Sequence, residues 1–335
     1  MKSERIFGIA FIATTFLLSG CGGGGGGSAS TGVTLPTAAI QITSSNAQSV
    51  ASSGNAAAQN SAGQGGSSAT TVVGVVTQQS GQLPSALKLA TSGLSQALSA
   101  PLLPTTVVGT TTTASYSCST TGTFTLTETI AGSTIAAGDS ISIQYNSCFD
   151  ATTGDTINGG LGIAITALSG TFGSVGASAG FTATFSNLTV SNTGASASLN
   201  GDMSINASST GTTGNATTTA TISGNSLTLT DSVHGSIRMT SYNETYTYNN
   251  LSTTYTLSVN MNLAGTVMNG SVNIATNNIF IGTGTGNPTA GVMTITGANG
   301  SYVTMTANST GTDVTLNGSN GTTPFGPTTV AWTAL

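Results

Sequence analysis

Charge is almost missing from this chain. Of 335 residues, 4 are Lys or Arg and 9 are Asp or Glu, so 4% are charged, against about 25% in an ordinary soluble domain. Neutralising phosphates takes a cluster of Lys and Arg, so the scarcity of basic residues excludes a nucleic-acid binder. One His and 3 Cys leave few titratable or metal-ligating groups. An acid–base enzyme needs several converging on one pocket, so no catalytic residue, cofactor or metal ligand is expected. Aromatics are sparse too, at 5%. What abounds is Gly, at 46 residues, with long tracts of Ser, Thr and Asn.

The N-terminus has a different character. Lys2 and Arg5 outnumber Glu4, and an apolar run of 13 residues follows from Ile6 to Leu18. A membrane-spanning helix needs about 20 apolar residues, so the run suits the h-region of a secretion signal. It ends in Leu18-Ser19-Gly20-Cys21. Here residues 1–20 and their junction resemble the bacterial lipoprotein family, whose lipobox is a Leu, two small residues and a Cys. The resemblance implies cleavage between Gly20 and Cys21, with diacylglycerol and palmitate chains on Cys21. Gly22 is not Asp, which by the family's sorting pattern implies the outer membrane. One acyl chain holds a protein only marginally and several hold it stably. An ordinary signal peptide whose cleavage leaves a Cys nearby is the alternative.

Residues 21–70 read as the lipidated Cys and a flexible Gly/Ser/Ala-rich tether. Within it, Ser45–Ala51 could form a short helix capped by Ser44 or Ser45. Residues 71–104 form a helical segment whose clear part is Pro84–Ser99. There Ala86, Leu87, Ala90, Leu94, Ala97 and Leu98 recur at spacings of three and four. Pro84 suits the first turn, and Pro101 and Pro104 prevent continuation. Gly93 costs this helix about 1 kcal/mol relative to Ala. Such a stripe could lie on a membrane, but Lys88 alone supplies the basic charge of interfacial helices. Covering one face of a sheet is the favoured reading.

Residues 105–335 change period. Ile141-Ser142-Ile143-Gln144-Tyr145 alternates apolar and polar residues, as does the run from Tyr255 to Leu263, and Gly, Asn and Ser break such runs at short intervals. This predicts an all-β domain in which an antiparallel, twisted meander sheet curls into a partial or full barrel with the helix packed on it. A short pattern recurs as Asn158-Gly159, Asn200-Gly201, His234-Gly235 and Asn269-Gly270, with glycines 42, 34 and 35 residues apart. That spacing fits one hairpin pair per unit, and such glycines mark bulges or tight bends. A parallel β-helix, which repeats on a tighter rung, is the alternative. A transmembrane barrel is disfavoured by the lack of long lipid-facing apolar bands and aromatic girdles.

With Cys21 acylated, as the resemblance implies, Cys118 and Cys148 are left to pair in a disulfide, which an exported compartment permits. The strand phase resists this. Cys118 shares parity with Phe124 and Leu126, whereas Cys148 is out of step with Ile141, Ile143 and Tyr145. A bulge near Asn146-Ser147 would repair it; two buried free thiols are the alternative. Asp231 and His234 would point to opposite faces of a strand, so they form no relay as neighbours. Asp150–Asp155 could offer oxygens to Ca²⁺, but it matches no calcium loop and reads as a turn. Tyr242, Tyr246, Tyr248 and Tyr255 form an aromatic patch suited to contact or to cross-strand packing. The expectation is an envelope lipoprotein anchored through Cys21, with a structural, adhesive or assembly-accessory role and an envelope protein or glycan as partner. The alternative is a module holding an apolar or glycan ligand in the concave face of its sheet.

Overall fold

Alternating Thr/Ser and aliphatic residues, punctuated by Gly and Asn turns, leave one face of each strand to be buried, and neighbouring strands meet that need by hairpin pairing. The computed structural model describes residues 35–62, 86–99, 110–132, 134–150, 154–171, 174–231 and 235–335. The strands run in chain order: β1 (Thr110–Ser117), β2 (Thr121–Ile130), β3 (Ser140–Asp150), β4 (Asp155–Ser169), β5 (Ser178–Ser191), β6 (Ser196–Thr212) and β7 (Asn215–Asp231). They continue as β8 (Gly235–Asn249), β9 (Thr254–Gly265), β10 (Gly270–Thr283), β11 (Ala290–Thr296), β12 (Tyr302–Ala307), β13 (Asp313–Ser319) and β14 (Pro324–Ala331). Each pairs antiparallel with the next, giving one 14-stranded meander in sequence order. The chain is therefore all-β, and its antiparallel pairing excludes the parallel β-helix. The sheet is open, with β1 and β14 as its edges.

The sheet curls at a series of bulges. Ser147 on β3, Asn187 on β5 and Ser241 on β8 each have a φ of 48° where the strand register slips. The Asn-Gly pairs predicted to mark bends serve two of these sites. Asn158 Oδ1 accepts the Ser147 N–H at 2.7 Å, and Asn200 Oδ1 accepts the Asn187 N–H at 2.7 Å. The adjoining Gly159 (φ 100°) and Gly201 (φ 127°) are left-handed and lie where any Cβ would strike a backbone carbonyl of the next strand, Asn187 or Ser226. Asn269-Gly270 instead forms the turn into β10, and Gly235 opens β8; His234 lies outside the described residues. The marked glycines fall on β4, β6, β8 and β10, one per hairpin pair.

Two helices cover one face. Helix α1 (Ala47–Ala62) packs against β8, β9, β11, β12 and β13, and α2 (Ala86–Ser99) packs on β4 and on α1. Their buried faces are made of small residues and a few leucines: Val50, Ala51, Ala57, Leu87, Ala90, Leu94 and Ala97 are buried in one core with Ile143, Ile163, Met203, Ile222 and Ile295. Small residues let a helix axis approach the sheet. A Cβ on Gly54 would meet Ile295 at 3.0 Å and Ile274 at 3.2 Å. A Cβ on Gly93 would strike Leu161 and meet Ile143 at 3.3 Å. Its helix-propensity cost is thus the cost of close packing.

Part of the segment read as tether is packed. Ile40 donates to the Ser271 carbonyl at 3.1 Å and Ala298 to the Ile40 carbonyl. Ile42 donates to Ser301 Oγ at 2.8 Å. Helix α1 runs well beyond the short helix expected at Ser45–Ala51, and Asn46, not Ser44 or Ser45, immediately precedes it. Local propensity could not foretell this, since a helix of Ala, Ser, Asn and Gln is marginal alone and is held here by the sheet. The C-terminus closes the same region, where Ser52 Oγ donates to the Leu335 carbonyl at 2.6 Å.

Candidate functional site

The concave face is not an open groove. The core that fills it joins α1, α2 and inward residues of every strand from β2 to β14. On the opposite face, side chains bond to one another across strands: Thr111 to Thr129 at 2.9 Å, Thr113 to Thr127 at 3.1 Å and Ser115 to Thr125 at 3.3 Å. Further along, Asn273 bonds to Asn262 at 3.0 Å and Thr294 to Asn277 at 2.6 Å. None of the charged side chains among the described residues is exposed. Lys88, Asp150, Asp202, Asp231, Arg238 and Asp313 are half-buried, and Glu128, Asp139, Asp155 and Glu244 are buried. Much of the surface therefore meets solvent through hydroxyls, amides and backbone, with a few exposed apolar side chains such as Leu251, Val267 and Ile279.

The buried acids have separate local tasks. Asp139 receives the N–H groups of Ala131 at 2.8 Å and Ala136 at 2.7 Å, fixing the loop between β2 and β3. Lys88 of α2 lies near Asp155 and Asp150, across the β3–β4 hairpin. Burial pulls its pKa below the ordinary lysine value, and the two carboxylates push it partly back. Asp150 and Asp155, the two ends of that segment, thus lie near a helix lysine; residues 151–153 lie outside the described ones. No group of three or more His, Cys, Asp or Glu among the described residues could hold a metal ion.

Glu128 stands on β2 between Thr112 of β1 and Ile141 of β3. It points to the core side with Leu126 and Ile130, and its buried Oε1 has no hydrogen-bond partner. Desolvation raises its pKa above the usual carboxylate range. A raised folded-state pKa means stability that is fully present below the unfolded pKa of about 4.3 and lost as pH rises through the folded value. Glu128→Gln is therefore expected to raise the urea midpoint at pH 7, with the gain shrinking towards zero as pH falls to about 4. Urea titrations of both chains at the two pH values check this; a pH-independent difference refutes it.

Of the two readings of the tyrosine patch, contact or cross-strand packing, the structure places three of the four residues in packing and so speaks against a contact patch. Tyr242, Tyr246 and Tyr255 are at most 2% exposed, and only Tyr248 is half-buried. Tyr246 and Tyr255 stack at 6.0 Å between ring centroids. Tyr242 donates to the Asp202 carbonyl, and Tyr255 to the Gly286 carbonyl at 2.8 Å. Burial pushes all three phenols well above their ordinary pKa. Sequence spacing could not distinguish the two uses, because the bulge at Ser241 sets which face Tyr242 and Tyr246 occupy.

Cys118 and Cys148 are disulfide-bonded with Cα atoms 5.5 Å apart. The strand phase is repaired where expected: the β3–β4 register shifts between Tyr145 and Cys148, at Ser147. Cys21, Gly20 and His234 lie outside the described residues. No helix among the described residues is long and apolar enough to cross a membrane. Comparison with known proteins finds no family model, curated protein or solved structure that matches this chain.

Proposed function

We propose that the chain is an outer-membrane lipoprotein, acylated at Cys21, whose β body has a structural or adhesive role in the cell envelope. The observation that carries the reading is the lipobox Leu18-Ser19-Gly20-Cys21 behind a 13-residue apolar run, too short for a permanent span. The Cys118–Cys148 disulfide supports an oxidising compartment. A surface without exposed charge supports contacts made by hydroxyls and amides, which salt screens little. A concave face occupied by α1 and α2 favours this role over that of a ligand-holding module. No convergent set of titratable groups among the described residues supports catalysis.

Mass spectrometry of the membrane fraction tests the reading. The wild-type chain is expected to begin at an acylated Cys21, and the Cys21→Ser chain to lack both cleavage at that position and acyl mass. Recovery of an unmodified wild-type chain that retains residues 1–20 overturns it.

A further inference from the structure

We propose that β1 is a self-association edge, pairing antiparallel with β1 of a second copy about a two-fold axis. An open sheet has two edges, and proteins normally blunt them with proline, charge or bulges. Strand β14 is blunted: Pro324 and Pro327 lack N–H donors, and its register with β13 slips between Leu316 and Gly318. Strand β1, Thr-Thr-Thr-Thr-Ala-Ser-Tyr-Ser, has no proline and no charge, and its register with β2 is unbroken over its whole length.

The hydrogen-bond phase shows which groups β1 offers. Cys118 donates to the Gly122 carbonyl at 3.1 Å, so in this register the bonded residues alternate back through Tyr116, Ala114 and Thr112. Thr111, Thr113 and Ser115 therefore turn their N–H and C=O away from β2, towards the open side. No described residue pairs with them there.

The edge is complementary to itself. With Thr113 on the two-fold axis, Thr111 faces Ser115 of the second copy, and each outward donor meets an outward acceptor. The facing side chains are Thr and Ser, the same pairs that already bond between β1 and β2 at 2.9–3.3 Å. No like charges oppose the pairing. Because β14 is blunted, head-to-tail addition is blocked and the assembly closes as a dimer instead of growing into a filament.

Sedimentation velocity of the full chain in detergent provides the test, with circular dichroism to confirm that each variant folds. Wild type is expected to show a concentration-dependent dimer. Thr113→Lys places two like charges opposite each other at the axis and is expected to weaken the dimer about tenfold or more, equivalent to 1.4 kcal/mol; Thr113→Pro, which deletes one outward donor, should do likewise. In a Cys21→Ser background, Thr113→Cys should crosslink between copies on mild oxidation, because bonded antiparallel pairs lie about 5.5 Å apart. Thr329→Cys, exposed on β14, should not. A monomer at all concentrations, a dimer insensitive to both Thr113 variants, or crosslinking through Thr329→Cys alone overturns the proposal.

Discussion

Replacing Gly201 with alanine is expected to destabilise the protein by about 3–5 kcal/mol, combining backbone strain with overpacking. Gly201 sits in β6 with φ of 127°, a conformation L-residues rarely adopt. Its missing Cβ is the space that the Ser226 carbonyl of β7 occupies, with the Leu227 Cα at 2.9 Å. The obstruction is backbone, so no rotamer change relieves it, and the irregular β6–β7 pairing, whose register slips between Gly201 and Ser204, would have to open. A control isolates that contribution. Gly214, in the β6–β7 turn, also has positive φ, 90°, but nothing lies within 4 Å of its would-be Cβ. Gly214→Ala should cost only about 1–2 kcal/mol of backbone strain. Urea midpoints of the two variants check the ordering, and equal losses refute the bulge argument.

Removing the disulfide is expected to cost about 3–4 kcal/mol, the loop-closure entropy for its spacing. The bond joins residues separated by 30 positions and ties the β1–β2 hairpin to β3 at one end of the sheet. Edge strands have a neighbour on one side only, so the loss should be local before it is global. In the Cys118→Ser/Cys148→Ser chain, amide exchange should accelerate in β1 and β2 well before it changes in β7, which has paired strands on both sides. Uniform acceleration across the sheet, or an unchanged urea midpoint, would contradict this account. Reduction of the wild type should reproduce the double variant.

Much of the architecture was legible because the strand signal is local. Alternation at Ile141-Ser142-Ile143 needs no knowledge of the partner to indicate which side is buried, and the Asn-Gly pairs are chemical marks of a backbone that leaves the pleat. The out-of-phase cysteines even located the bulge at Ser147, because a bridge between mismatched faces requires an extra residue. The helix at Ala86–Ser99 was equally plain from its stripe. The extent of α1 was not, since Ala, Ser and Asn carry no stripe of their own. The role of the tyrosines stayed open between contact and packing because one inserted residue at Ser241 exchanges the faces of all that follow, and pairing geometry alone shows where that insertion falls.

By itself the sequence determined the all-β class, the cysteine pair and a chain poor in charge, since each follows from residue types and short spacings. Only the tertiary structure decided that the concave face holds helices α1 and α2, that the described charged side chains are half-buried or buried, and that among the described residues one sheet edge is blunted while the other is unpaired. Those outcomes depend on which distant segments meet: Leu35–Ala62 against β8 to β13, Lys88 against Asp155, and β1 against no other described residue on its outer side. Packing sets such meetings through shape and volume, which short spacings do not encode.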